Sequence, residues 1–211
     1  CQSFARTRHR IRRELIMSEK YTMSLSLNVL NHLGINLYSN IPAVLSEIVA
    51  NSWDADANQV DITIDKDKII IEDNGCGMDI YDINNKFLYV GHRKREESLE
   101  SPKYKRRYMG RKGIGKLSMF SIAQEIDVIS RKQKKSGEYE INAFRMDSKK
   151  IETAIKDDNS NMSKSYNPEP IDTTENELKE TGTKIILKNL KKNTSTLTET
   201  YIKKRVARRF G

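Results

Sequence analysis

Apolar residues at Val44, Leu45, Ile48 and Val49 recur at the spacing of one helical face and predict a helix that begins near Ile41. Ser39 or Asn40 can cap it, and Pro42 suits its first turn. The period then changes to alternation. Val60, Ile62 and Ile64 predict a half-buried strand, "DKDK" a turn, and Ile69 to Ile71 a second strand. "EIDVISRK" and "YEINAFRMD" read as paired strands around "QKKSGE", and "TGTKIILKNL" as a further strand with Thr183, Ile185 and Leu187 on one face. Shorter helical patterns fall at residues 24–33, ended by Gly34, and at "KLSMFSIAQ", where Leu117, Phe120 and Ala123 hold helical spacing. "LTETYIKKRVARRF" begins a basic helix. Arg93 to Arg107 is charged and has no period, and residues 147–180, polar and carrying Pro168 and Pro170, read as an exposed insertion. No internal repeat is evident. Helices mixed with strands that mostly follow one another predict an α+β sandwich, a mixed or antiparallel sheet covered on one face by helices.

Composition narrows this picture. The 211 residues suffice for one domain with a core, and a mean hydropathy of −0.71 marks the chain as polar yet globular. No run is apolar enough to span a membrane, and no apolar segment follows the basic N-terminus as in a signal peptide. Cys1 and Cys76 make no disulfide framework and suit a reducing cytoplasm. The net charge of +9 is concentrated at the ends: residues 1–16 carry +4, residues 203–209 carry +5, and the remainder sums to zero. Such arms either contact nucleic acid electrostatically or are simply solvated. With Met17 as a candidate start, the expected organisation is a basic arm or a foreign extension over 1–16, one domain over 17–195, and over 196–211 the start of a linking helix to a further C-terminal region. Inside the neutral remainder, Arg93 to Lys116 carries +7, a field suited to polyphosphate or merely to a soluble loop.

Three stretches carry candidate chemistry. In "GRKGIGKLS", Gly110, Gly115 and Lys116 have P-loop spacing. Leu117 stands where the Mg²⁺-holding hydroxyl belongs, and "KYKRRYM" before it is no buried strand. A phosphate cradle of another kind and a plain glycine turn both remain open. On the helix from Ile41, Glu47, Asn51 and Asp54 lie at i, i+4 and i+7 and share one stripe. Asn51 can offer its amide oxygen to Mg²⁺ and Glu47 can activate a water; a solvated helix face is the alternative. In "EDNGCGM", Asp73 ends a strand, where its carboxylate can accept a hydrogen bond from an exocyclic amine such as that of adenine. Gly75 and Gly77 would let the backbone approach a flat ring and Met78 would pack on its face, although "DNG" is also a common turn.

The order of these stretches is E-x-x-x-N-x-x-D-A, then D-x-G-x-G-M after a strand, then G-x-x-G-I-G-K, then G-T-K in a late strand. It resembles the GHKL ATPase superfamily of gyrase B subunits, ninety-kilodalton heat-shock chaperones, histidine kinases, MutL and MORC proteins, over about Glu47 to Lys184. The resemblance implies a Bergerat fold with ATP between helices and sheet, beneath a mobile lid at about 91–116. It implies that Glu47 activates water, that Asn51 holds Mg²⁺ and that Asp73 reads the adenine amine. Gly77 and Met78 would line the base, and Thr183 would share a water with Asp73. Gly113, Gly115 and Lys116 would form the phosphate loop. Asp54, Gly75, Gly110 and Ile114 lie within the same boxes and count with the nucleotide-binding residues. Glu47, where histidine kinases typically have Asn, favours hydrolysis over phosphotransfer. "EIVANSWDADAN" reads closest to MORC-like and chaperone-like ATPases, since gyrase and MutL usually show Gly where this chain has Asp56. The implied partners are ATP, Mg²⁺ and a second copy in an ATP-dependent homodimer. Nucleic acid would be met through the basic termini or a further domain, and no membrane is involved. An ATP-binding switch with negligible turnover is the alternative to a hydrolase.

Overall fold

The computed structural model describes residues 21–25, 41–89, 100–109, 115–157, 164–172, 178–191 and 199–210. The alternating segments form one sheet. Strands β2 (Val60–Ile64), β3 (Lys68–Asp73), β4 (Ala123–Gln133), β5 (Tyr139–Asp147), β7 (Glu169–Pro170) and β8 (Gly182–Leu190) pair antiparallel in the order β2-β3-β8-β4-β5-β7. Register places Ile71 opposite Ile185, Ile185 opposite Val128 and Val128 opposite Phe144. That row, with Ile69, Leu187, Ile126 and Met146 in the next, forms the buried face of the sheet. Helix α1 (Ile41–Asp54) lays Ile41, Val44, Leu45 and Ile48 into the same core. Each such side chain contributes about 1.5–3 kcal/mol when fully buried. The result is the α+β sandwich expected from the pattern, its sheet antiparallel throughout the described residues.

Three elements differ from the expectations. Met23–Leu25 is a strand, β1, and not the start of a helix; it pairs with β6 (Lys164–Tyr166), and Met23 is buried in the core. A partner some 140 residues away overrides local spacing there; residues 26–40 lie outside the described ones. "KLSMFSIAQ" is a 3₁₀ helix only over Gly115–Ser121, because Ala123 is already paired with Leu190 in β4. The polar stretch after Asp147 is built into the domain: helix α3 (Ser148–Asp157) buries Ile151, β6 buries Tyr166, and Leu178 covers Ile129 and Ala143 on the second face of the sheet. The basic helix expected near the end is present as α4 (Glu199–Phe210), which packs against α1 and buries Ile202. Among the described residues, no helix is long and apolar enough to cross a membrane.

On that second face Asp127, almost wholly buried, receives Arg145 Nε at 2.6 Å and Nη2 at 2.8 Å, and Lys188 Nζ at 2.6 Å. Burial would raise its pKa, but these cations outweigh it and hold the carboxyl below its ordinary value. A depressed folded pKa contributes stability that is present above the unfolded value of about 3.9 and is lost as pH falls through the folded one. Asp127→Asn is therefore expected to lower the melting temperature at pH 7. In a pH series of melts the gap from the parent should close below about pH 3.9. A gap that stays constant across the series would rule the ion cluster out as its cause.

Candidate nucleotide site

Asp73 is the last residue of β3 and sits in register with Val60 on one side and Thr183 on the other. Its Oδ2 receives the Ser52 hydroxyl at 2.8 Å, and its Oδ1 receives the amides of Gly75 at 3.0 Å and Thr183 at 3.3 Å. Burial pushes its pKa up, against three hydrogen bonds that favour the charged form. A carboxylate has about four acceptor sites, so this arrangement leaves one on Oδ2 for a donor from outside the chain.

Ser130 occupies the inward position of β4 after Ile126 and Val128, where alternation calls for another apolar side chain. Its Oγ receives the Met78 amide at 2.8 Å, donates to the Gly182 carbonyl at 3.1 Å, and lies 3.1 Å from Thr183 Oγ1. The segment after Asp73 is stapled at three points. Met78 is held by Ser130, and the Ile80 amide by Glu140 Oε1 at 3.0 Å. Lys132 Nζ binds both Asp79 and Asp82, beside the short helix α2 (Ile80–Asp82), which continues as a π-helical turn to Phe87. Residues 52, 73, 78, 130 and 183 thus meet in one hydrogen-bonded group. The motifs pointed to Asp73, Met78 and Thr183 but missed Ser52 and Ser130. The usable signals were a serine directly after Asn51 and a hydroxyl at the end of an apolar alternation.

The glycines also serve the fold itself. A Cβ on Gly75 would lie 2.7 Å from the Ala55 carbonyl oxygen. Gly77 has φ +66°, and a Cβ there would lie 2.1 Å from the Arg131 carbonyl oxygen. Both positions need glycine because the chain's own backbone passes there.

On α1, Glu47 and Asn51 are half-buried one turn apart. Asp54 leaves their company: it is buried, and its Oδ1 receives the Met109 amide at 2.8 Å. Lys116, expected at phosphate, donates from Nζ to the carbonyls of Lys86 at 2.7 Å and Tyr89 at 2.8 Å, where the π-helical turn leaves carbonyls open. Gly115 opens the 3₁₀ helix; Gly110, Gly113 and Ile114 lie outside the described residues. Among the described residues no three His, Cys, Asp or Glu side chains are grouped to hold a metal. Mg²⁺ takes few protein groups when it arrives with a triphosphate, so the single amide oxygen of Asn51 fits such an ion only in that company.

A six-stranded antiparallel sheet under a helical layer, with a buried carboxylate at a strand end, defines the class as an α+β sandwich domain. Residues 38–184 match the family model of histidine kinase-, DNA gyrase B- and HSP90-like ATPases, and the chain belongs to that family. ATP binding comes with that membership. A Herpetosiphon aurantiacus protein carrying the name "Putative type II restriction enzyme HgiDII" is 42% identical over 190 residues, 90% of this chain and 29% of that protein. The chaperone protein HtpG of Campylobacter jejuni subsp. doylei is 31% identical over 121 residues, 46% of this chain and 20% of the chaperone. HtpG of Borreliella burgdorferi is 25% identical over 153 residues, 62% of this chain and 25% of the chaperone. The chain therefore spans less than a third of the length of these relatives. The motifs had pointed to MORC-like and chaperone-like branches and had not raised restriction enzymes.

Proposed function

We propose that the chain is the Mg²⁺-dependent ATP-hydrolysing module of a larger machine. The observation that carries this reading is the donor-hungry Oδ2 of Asp73 beneath the helix that bears Glu47 and Asn51. Asp73 would take the adenine amine and Asn51 would hold Mg²⁺ against the triphosphate. Glu47 would orient and deprotonate the attacking water, a task that needs no contact with the ground-state nucleotide. Hydrolysis is favoured over a pure switch because Glu47 supplies a base where an amide could not. The organisation we propose is a domain over 17–195 with α4 packed on it as the start of a link to a further region, a nucleotide-responsive segment at about 91–116, and ATP-dependent pairing of two copies in the cytoplasm.

For the whole protein, DNA is the proposed target, on two grounds. One is the name of the Herpetosiphon relative. The other is the outer face of α4, where Lys203, Lys204, Arg205 and Arg208 are all exposed. Contacts of that kind are to phosphate and weaken with salt. The test of the central reading is phosphate release from Mg-ATP by the whole protein over long incubations. A parent that binds ATP but never releases phosphate would replace the hydrolase by the switch.

A further inference from the structure

The charged, aperiodic segment Arg93 to Arg107 falls within the mobile lid that the resemblance implies. Its described part, with the two residues that follow, is docked on the end of α1. Asp56, buried just past that helix, adopts φ +62°. Its Oδ1 receives the hydroxyl of Ser101 and the Tyr104 amide at 3.1 Å, and its Oδ2 receives the Lys103 amide at 2.8 Å. Ser101 is fully buried, and its Oγ in turn accepts the Arg106 amide at 3.0 Å. Glu100 and Arg107 close the turn with a β-bridge. Arg106 reaches back to the Ala57 carbonyl, and its guanidinium lies 4.3 Å over the Trp53 ring. Burial alone would raise the Asp56 pKa; the donors from Ser101, Lys103 and Tyr104 outweigh it and hold the carboxyl below its ordinary value.

The segment ends at Met109, whose amide is on Asp54, and the glycine stretch of the sequence begins at the next residue. Beyond that stretch Lys116 is held by the carbonyls of Lys86 and Tyr89. Met109, on Asp54, is thus tied to the end of α1 directly after the turn that Asp56 organises. We infer that Asp56 is a positioning residue for the nucleotide site: its carboxylate fastens residues 100–109 to the end of the helix that carries Glu47 and Asn51. The inference rests on the ATP reading and deepens it. Holding a binding segment in place in the free protein strengthens binding by cutting the ordering cost.

Asp56→Gly isolates the carboxylate, because glycine accepts φ +62° without strain and the backbone has no reason to move. Trp53 is the sole tryptophan, and it lies under Arg106, so its quenching by iodide reports whether the segment stays docked. Calorimetry with adenosine and with Mg²⁺ and AMP-PNP separates the base from the triphosphate. Asp56→Gly is expected to raise the Trp53 quenching constant and to weaken AMP-PNP by about tenfold while leaving adenosine affinity unchanged. Asp56→Asn, which keeps the Oδ1 acceptor for Ser101 and Tyr104, should recover part of the loss, and Ser101→Ala should show a smaller loss of the same kind. Unchanged quenching, unchanged AMP-PNP affinity, or equal loss of adenosine and AMP-PNP would each overturn the inference while the ATP reading stands. A parent that binds neither ligand would remove the ATP reading itself, and the inference with it.

Discussion

Glu47→Ala in the whole protein is expected to bind Mg-ATP as the parent does and to lose roughly 10²–10⁴-fold in hydrolysis, the usual contribution of a general base. Asn51→Ala is expected to lose both, because an ion held by one protein oxygen and the phosphates weakens the ground-state complex when that oxygen goes. The two residues lie one turn apart on α1 and are equally half-buried, so a nonspecific effect on the helix would strike both alike. The split between them is what identifies their jobs. Single-turnover hydrolysis measured beside calorimetric affinity reads the two quantities separately. If Glu47→Ala hydrolyses as fast as the parent, Glu47 is a solvated helix residue and the water is activated elsewhere. If Asn51→Ala keeps full affinity, the magnesium assignment falls while that of Glu47 survives.

The elements visible in the sequence are those whose order is local. The stripe of Val44, Leu45 and Ile48 and the alternation of Val60, Ile62 and Ile64 each read correctly because their period is the period of the element. The β4–β5 hairpin was legible for the same reason, its two strands being joined by a short polar turn. What stayed hidden depends on distant partners. β1 exists because residues 164–166 pair with it, and the polar stretch after Asp147 is anchored by only a few apolar residues, Ile151, Tyr166 and Leu178. Residues 100–109 show no period because a carboxylate 45 positions before Ser101 gives them their shape. At the site, chemistry was easier to read than purpose. Asp73, Met78 and Thr183 do meet, yet Gly75 and Gly77 make room for the chain itself, Asp54 holds Met109, and Lys116 holds carbonyls. A motif names residue types that a site needs, whereas a hydrogen-bond partner is chosen by the whole fold.

Asp73→Asn is expected to weaken ATP binding by about tenfold or more and, at the same time, to narrow the preference for ATP over GTP. The substitution keeps shape and volume. The amide oxygen can still accept from Gly75 and Thr183, as Oδ1 does, and the Ser52 hydroxyl can turn to accept from the new NH₂. Both positions on the former Oδ2 turn from acceptor to donor, but the Ser52 hydroxyl can reverse to match, whereas an adenine amine at the outward position cannot. Adenine presents an amine there and would face another donor; guanine presents O6 and would gain one. A hydrogen bond to a charged group is worth about 1.5–3 kcal/mol, and an unpaired buried partner loses a similar amount, so the parent should prefer ATP by at least about tenfold. Asp73→Ala, which removes both oxygens, should abolish most binding of either nucleotide, since the amides of Gly75 and Thr183 and the Ser52 hydroxyl then lose their shared acceptor. Calorimetric titration of both nucleotides into parent and variants decides it. Equal affinity of the parent for ATP and GTP would sink the assignment of Asp73 to the base. A parent preference that survives intact in Asp73→Asn would move base selection to another group in the site.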